Sequence, residues 1–409
     1  ERDGYANATG NARLKVNISD SFTLDFRSYY NRAKVEYDSE FGVGANGLPV
    51  SRNRQFVGYV GAQFDMLDGR LHNRIAYTRT DLRRIGTDPI VFSFNNFNVR
   101  GAIDRMEYHT AFDLNDALTF VAGVEYERTF ASTSFEGAAP DVARNDVVSG
   151  FGQIIVRPVN GLTLTAGVRH DAYSDYGGQT TLGGNLAFTP NEGRTMFRAT
   201  YAEGFRAPTL TEGQPPYGNL QLKPETARNF DLGVEQQFLE GKAQLFATYF
   251  NRRSNDLIAF SPVSFQSENI DKVTAKGLEI GLDLNPSSQL DIRASYTLVD
   301  AINRTAGDTF GNRQALRPQN SFSLTADWQT AFGLSLGSSL LIIGDSFDDA
   351  ANNVRLDGYA LVGLRASMPL NAALDVYARV ENMLDAQYTV VSGYNSFGRH
   401  ATIGVRAKF

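Results

Sequence analysis

Along most of this chain, polar and apolar residues alternate one for one. Near the end, His400, Thr402, Gly404, Arg406 and Lys408 alternate with Ala401, Ile403, Val405, Ala407 and Phe409. Leu374, Val376, Ala378 and Val380 alternate with Asp375, Tyr377, Arg379 and Glu381, and Leu162, Leu164, Ala166 and Val168 with Thr163, Thr165, Gly167 and Arg169. A period of two sends successive side chains to opposite faces of a strand. Each such segment is therefore a strand with one chemistry per face. Helical spacing appears nowhere at comparable length.

The connections between these segments alternate as well. Short turns rich in Asn, Asp and Gly occur at Ser19-Asp20, Leu67-Asp68-Gly69, Asn115-Asp116, Asn160-Gly161, Asn191-Glu192-Gly193, Glu240-Gly241 and Leu370-Asn371. Longer polar stretches lie mostly between them, at 39–52, 86–97, 134–144, 205–224, 303–313, 345–355 and 385–397. Short turns at one end and long loops at the other make the up-and-down layout of a transmembrane barrel. The segments number about nineteen, most of roughly 10–18 residues, where about 9–11 suffice to cross the hydrocarbon at barrel tilt. Strands of a soluble sandwich are nearer ~5–6 residues, and no blade-length repeat marks a propeller. The last strand ends at the short-turn end and the first begins at the long-loop end. An odd count conflicts with the even numbers of bacterial single-chain barrels, so further strands are expected before Glu1, with the first and last strands leaving edges unpaired or pairing in a strained closure. Within the chain no domain boundary is visible.

Composition removes other classes. With no Cys among 409 residues, a disulfide scaffold, a Cys-ligated metal and a thiol nucleophile are excluded. The formal charge of −6 argues against a nucleic-acid footprint, which needs a basic surface. No apolar run approaches the ~18 residues of a membrane helix, whereas alternating strands hide a membrane barrel from hydropathy averages. The 38 Gly, 18 Tyr and 28 Phe suit β-structure.

Particular residues then carry a family resemblance. Tyr201-Ala-Glu-Gly-Phe-Arg-Ala-Pro-Thr-Leu210, followed by Asn219-Leu-Gln-Leu-Lys-Pro-Glu225 and Leu232-Gly233-Val234-Glu235, resembles the strand–loop–strand signature of TonB-dependent outer-membrane receptors, with Leu220 in place of the usual Pro. Asn269-Ile-Asp-Lys-Val-Thr-Ala-Lys-Gly-Leu-Glu279, Val380-Glu-Asn-Met-Leu-Asp385 and the terminal Phe409 also match. Gly393-Tyr394-Asn395-Ser396-Phe397-Gly398-Arg399 and Glu1-Arg-Asp-Gly-Tyr5 are similar to the vitamin B12 (cobalamin) receptor subfamily. The resemblance implies an all-β, antiparallel up-and-down transmembrane barrel over residues 1–409. About nineteen strands of a roughly 22-stranded barrel would be present, with the N-terminal plug and first strands absent. It also implies location in the bacterial outer membrane and contact with outer-membrane lipid and lipopolysaccharide. The function implied is uptake of a scarce nutrient, with TonB acting through the plug. Cobalamin or a related corrinoid is the first substrate expected and a ferric siderophore the second. A passive porin-like channel is the alternative from another class.

Candidate site residues follow. Glu1, Asp3, Asp38 and Glu40 flank the hairpin that turns at Ser19-Asp20, so both strand ends reach the long-loop rim together. Oxygen ligands in a loop suit calcium. By the resemblance, Glu1, Asp3 and Asp38 fall on loop acids that bind it, whereas Ser51 cannot supply the further carboxylate. Asp345, Asp348 and Asp349 read as solvated loop acids. Arg169, Arg206, Arg317, Arg365 and Arg379 sit in strands or at their ends. The mid-strand ones should face the lumen, because charge facing mid-membrane lipid costs ~2–4 kcal/mol. Their expected roles are pairing with luminal carboxylates such as Glu381, or steering an anionic ligand, and Arg317 is a candidate for ligand contact. Clustered aromatics, among them Tyr29-Tyr30, Tyr173, Tyr176 and Tyr249-Phe250, read as interfacial girdles. Tyr394 lies beyond them and is a candidate for stacking on a planar ligand. Gly42-Val-Gly-Ala-Asn-Gly47 matches a dinucleotide fingerprint but sits in a loop before Pro49, without the helix that such a site needs. His72, His109, His170 and His400 fall on separate strands with no grouping pattern. No catalytic residue is expected and no cofactor is required; calcium in the extracellular loops is the one ion anticipated.

Overall fold

Each alternating segment becomes one strand of a single up-and-down sheet. The computed structural model describes residues 4–37, 49–88, 96–135, 138–213, 218–261, 264–394 and 396–407. The strands are β1 (Tyr5–Ser19), β2 (Phe22–Glu36), β3 (Val50–Met66), β4 (Leu71–Thr87), β5 (Phe97–Asn115), β6 (Leu118–Phe135) and β7 (Asp141–Val159). They continue as β8 (Leu162–Tyr173), β9 (Gly177–Phe188), β10 (Thr195–Arg206), β11 (Glu225–Phe238), β12 (Ala243–Ser261), β13 (Gln266–Ser287) and β14 (Leu290–Asn303). The last are β15 (Asn320–Gln329), β16 (Ser335–Ile343), β17 (Ser346–Phe347), β18 (Arg355–Leu356), β19 (Tyr359–Asn371), β20 (Leu374–Glu381) and β21 (His400–Ala407). Nineteen of them form the main sheet, every neighbour antiparallel, and β17–β18 is a separate small hairpin at the long-loop end. Among the described residues no ladder joins β1 to β21, so both present open edges, as expected.

Register assigns the two faces. Asp291, Arg293, Ser295 and Thr297 of β14 stand opposite Asp327, Thr325, Ser323 and Ser321 of β15, while Leu290, Ile292, Ala294 and Tyr296 stand opposite Trp328, Ala326, Leu324 and Phe322. Following the pairings strand by strand keeps one face polar and the other mainly apolar, with charged rows such as Arg32–Arg54–Arg83–Arg100 and Arg79–Asp104–Arg128–Asp146 on the apolar face toward the long-loop end. Ile403 and Val405 are 81% and 61% exposed and share the apolar face with Ala378 and Val376. Arg406 lies on the polar face opposite Asp375. Buried side chains are mostly polar or small, and Asp25, Ser149, Asp171, Thr248 and Ser254 among them lie on the other face. In water this inversion would be unstable. In a bilayer the lipid solvates the apolar face, and the ladders between neighbouring strands satisfy the backbone N–H and C=O groups.

The tight turns are set by local backbone chemistry. Leu67-Asp68-Gly69 runs through φ of 55°, 55° and 81°, and Asn191-Glu192-Gly193 through 57°, 58° and 85°. A glycine at the third position removes the Cβ clash of the left-handed region.

Candidate functional site

The polar face carries charge in connected rows. On β4–β8 one row runs Arg74, His109, Gly123, Phe151, Arg169, and beside it Glu107, Glu125, Ser149, Asp171. Arg74 Nη2 meets Glu107 Oε1 at 3.0 Å and His109 Nδ1 at 2.7 Å. His109 Nε2 lies 3.0 Å from Glu125 Oε1, and Arg169 reaches Glu125 at 2.8 Å and Asp171 at 2.9 Å. Ser149 donates to Asp171 at 2.6 Å. Ligand atoms of Glu107, His109 and Glu125 lie within 4.8 Å of one another, a spacing that could hold a cation. Arg74 and Arg169 already neutralise both glutamates, so the set is a paired polar wall. The sequence reading missed this grouping of a histidine with acids. Its one local signal was Glu107-x-His109, which a period of two places on one face.

Further round the wall, near the short turns, a cavity of about 730 Å³ is lined by Asp327, Arg365, Asp375, Tyr377, Arg379 and Arg406. Arg365 reaches across β16 to Asp327 at 2.5 Å. It crosses at Gly337, where a Cβ would fall 2.4 Å from Arg365 Nε and 2.7 Å from Asp327 Oδ1. Arg379 lies 3.5 Å from Glu381, which also bonds His400, and Arg406 lies 5.8 Å from the centre of the Tyr377 ring. Arg169, Arg365 and Arg379 thus take the carboxylate partners that the polar face offers.

At the long-loop end the signature motif builds a clamp. Arg206 holds Glu212 at 2.8 Å and Glu225 at 2.7 Å. The Thr209 N–H donates to Glu212 at 2.8 Å, and the Ile258 N–H to Glu225 at 2.7 Å. Burial pulls the Glu212 carboxyl upward, but Arg206 and Thr209 outweigh it and hold it below the usual carboxylate range. Asn269 ties the next loops together, accepting from the Lys223 N–H at 2.8 Å and donating to the carbonyls of Lys223 and Asp256 at 2.9 and 2.7 Å. These motif residues shape the rim.

A second assembly gathers around β17–β18. Asn352 accepts from the Arg313 N–H and donates to the Arg313 carbonyl, both at 2.9 Å. Arg313 donates to the Asp345 carboxylate at 2.9 Å and carbonyl at 2.7 Å, with its guanidinium 5.2 Å from the Phe347 ring centre. Arg313 holds the Asp345 carboxyl low, and the Val354 N–H does the same for Asp349. Asp348 accepts from the Ser392 N–H at 3.2 Å. Asp345, Asp348 and Asp349 are therefore structural acids, not the free loop charges their sequence suggested.

The two expected ligand contacts come from segments tied to this hairpin. The Leu316 N–H donates to the Phe347 carbonyl at 2.6 Å, beside Arg317, and Ser392 bonds Asp348 two residues before Tyr394. Tyr394 is 70% exposed. The Arg317 guanidinium bonds the Leu316 carbonyl at 3.2 Å and has no carboxylate partner among the described residues. The expected calcium ligands Glu1, Asp3 and Asp38 lie outside the described residues. Gly4 and Glu36, which neighbour them in sequence, are joined by a 2.8 Å backbone bond.

A family model, TonB dependent receptor-like β-barrel, matches residues 1–383. The vitamin B12 transporter BtuB of Photobacterium profundum is 25% identical over 407 residues, covering 96% of this chain and 63% of that protein. BtuB of Vibrio vulnificus is 24% identical over 411 residues, covering 97% of the chain and 62% of that protein. The chain therefore spans a little under two thirds of the length of these relatives. Among solved structures, a mutant of the ferric enterobactin receptor PfeA from Pseudomonas aeruginosa aligns with a TM-score of 0.80 at 20% identity, covering 100% of this chain and 70% of that one. The ferric-catecholate import receptor Fiu from K12 E. coli gives 0.79 at 13% identity, covering 100% and 75%. These structures share the fold. With its motifs, its inverted faces and the family match over nearly its whole length, the chain is an outer-membrane β-barrel and belongs to the TonB-dependent receptor-like β-barrel family.

Proposed function

We propose that this barrel serves a TonB-dependent receptor that takes up a corrinoid. The observation that carries the reading is the 25% identity to a vitamin B12 transporter across 96% of the chain. In this reading the loops at the long-loop end capture the ligand, and it passes through the lumen when TonB acts on a plug. Arg317, with no acid of its own among the described residues, meets an anionic group of the ligand, and the exposed Tyr394 ring stacks on its flat macrocycle. Glu1, Asp3 and Asp38 bind calcium, a hard cation that takes carboxylate oxygens, and stiffen the loops before capture, which reduces the entropy lost on binding.

Calorimetry with cyanocobalamin on the full-length receptor, plug included, tests this in calcium and in chelator. Tight binding that weakens on chelation is expected. Equal affinity in both buffers removes the calcium role. Absence of corrinoid binding alongside tight binding of a ferric siderophore moves the substrate to that class, and absence of both returns the passive channel.

A further inference from the structure

The cavity near the short turns lies at the far end of the lumen from the proposed capture residues. It exists because two glycines let large side chains lie flat on the wall. Arg365 crosses Gly337 to reach Asp327, and the Tyr377 ring lies across Gly404, where a Cβ would collide with it. The recess left between them encloses about 730 Å³, within the roughly 300–1,000 Å³ of small-molecule sites. Its charge is unbalanced, with Arg365, Arg379 and Arg406 lining it against Asp327 and Asp375. Arg365 faces Arg379 across β19–β20, and like charges so opposed repel. Asp327 holds Arg365 at 2.5 Å. Arg379 lies 3.5 Å from Glu381, beyond the ~2.7–2.9 Å of a charge-assisted bond, and Glu381 also serves His400. Arg406 rests 5.8 Å from the Tyr377 ring centre and pairs with no acid among the described residues. One aromatic ring is thus flanked by two guanidiniums that no carboxylate holds closely.

A neutral stretch of wall leads to this recess. β15 starts just after Arg317 and descends from the long-loop rim to Asp327. Its luminal side chains on the way are Ser321, Ser323 and Thr325, with Ser295 of β14 and Ser339 of β16 beside them. The Ser295 and Ser323 hydroxyls share a bond of 2.7 Å. Hydroxyls both donate and accept. A solute that exchanges one for the next is bound weakly at many points, which is the condition for passage. The wall of β4–β8 differs, because Arg74, His109 and Arg169 are each fixed to a carboxylate.

We propose that the recess is a second, transient station for the imported solute, occupied after it leaves the rim. An anionic group held first at Arg317 descends along β15 and docks between Arg379 and Arg406, with Tyr377 against the adjoining flat surface of the solute. The station rests on the reading of the chain as an importer that captures its ligand at Arg317 and Tyr394. The solute it takes is a bulky organic anion, a chemistry shared by the phosphodiester of a nucleotide-bearing corrinoid and the catecholates of a ferric siderophore. Guanidinium forks bind such oxygens in pairs, and the incoming charge offsets the repulsion between Arg365 and Arg379. Hydroxyls hold the solute weakly on the way down and charge holds it at the end, so the wall favours movement toward the short turns.

The test uses the full-length receptor, plug included, in cells that supply TonB. p-Benzoylphenylalanine replaces Tyr377 in one variant and Thr165, on the luminal face of β8, in another. Irradiation should crosslink radiolabelled cyanocobalamin at 377 only while the proton gradient is intact, and at 165 in neither state. Crosslinking at 377 without the gradient, equal crosslinking at both positions, or crosslinks from 377 that reach only the receptor's own plug, overturns the station. A second measurement needs no photoprobe. Arg379→Gln with Arg406→Gln should leave the calorimetric affinity within about twofold and lower the uptake rate per receptor on the order of tenfold, as for a lost charge-assisted contact. Arg379→Lys with Arg406→Lys should keep most of the rate. Unchanged uptake in the glutamine variant, or an affinity that falls as far as the uptake, overturns the proposal. Folding is checked by heat-modifiable gel migration. Should the double variant fail to fold, Arg406→Gln alone decides, with a several-fold loss of uptake expected and no loss overturning the idea. Failure of the corrinoid reading shows separately, as absence of cyanocobalamin binding to the parent. Both measurements then run with the ferric siderophore that binds, and a receptor that binds neither ligand has no such station.

Discussion

Arg206 stands between two glutamates, so one side chain decides whether the loop after β10 stays on the rim. The depressed pKa of Glu212 sets the sign of its pH dependence. Its charged form is favoured in the folded clamp. That stabilisation is fully present above the ordinary carboxylate range and is lost as pH falls through the lower folded value. The local opening free energy at 205–213 and 218–224, from hydrogen exchange after division by the pH-dependent intrinsic rate, should therefore be flat from neutral pH down to about pH 5 and fall below it. Arg206→Gln should lower that opening free energy at neutral pH and flatten its profile; a parent opening free energy independent of pH would refute the clamp. For the ligand contacts, Tyr394→Ala and Arg317→Gln should each weaken corrinoid binding about tenfold by calorimetry, near 1.4 kcal/mol per residue, with the gel migration of the folded barrel kept. If neither moves the affinity, both residues leave the proposed site. At this scale the sequence was readable where the chemistry is local. The inward direction of Arg169, Arg365 and Arg379 followed from the penalty of facing lipid. The roles of Asp345 and Asp348 did not, because their partners Arg313 and Ser392 lie 32 and 44 positions away. Adjacent aromatics were half legible. Tyr29 and Tyr30 must point to opposite faces, so Tyr30 can join a lipid girdle and Tyr29, opposite Val57 on the polar face, cannot.

Among the elements, the β17–β18 hairpin does most with least. Its two strands have two residues each, too short for any periodicity to reveal, yet it holds the loop 304–317 and the segment before Tyr394. Asn352 is its fastening, making three side-chain bonds to Arg313 and Asp349 from a left-handed backbone of φ 59°. Asn352→Gly keeps that backbone accessible and removes all three bonds. Local stability should fall by about 1–3 kcal/mol, seen as faster hydrogen exchange at 304–317 and 346–356, while the barrel's own unfolding midpoint stays unchanged. Exchange that stays slow in both segments would show that the hairpin is not their anchor. The long strands and the Asn/Asp/Gly turns were legible because period two and positive φ are local properties. Loop-to-loop bonding is not.

For the whole molecule, the order of strands could be read from the alternation of short and long connections, since an up-and-down sheet leaves no other pairing to choose. What the alternation leaves open is which face meets lipid, because a soluble sheet shows the same period with the faces reversed. The structure supports apolar outward through the burial of Asp25, Ser149 and Asp171 and the exposure of Ile403 and Val405. A pair of substitutions one residue apart decides it functionally. Leu324 and Ser323 are neighbours on β15, opposite Ala294 and Ser295 respectively, and so lie at nearly one depth on opposite faces. Leu324→Arg places a charge in lipid and should lower folding stability by about 2–4 kcal/mol in vesicles, whereas Ser323→Arg enters a polar lumen and should change it by less than about 1 kcal/mol. Denaturant titration of the full receptor, followed by the heat-modifiable gel shift, measures both. Equal losses would mean that β15 does not separate lipid from lumen, and a larger loss at Ser323 would turn the barrel wall inside out.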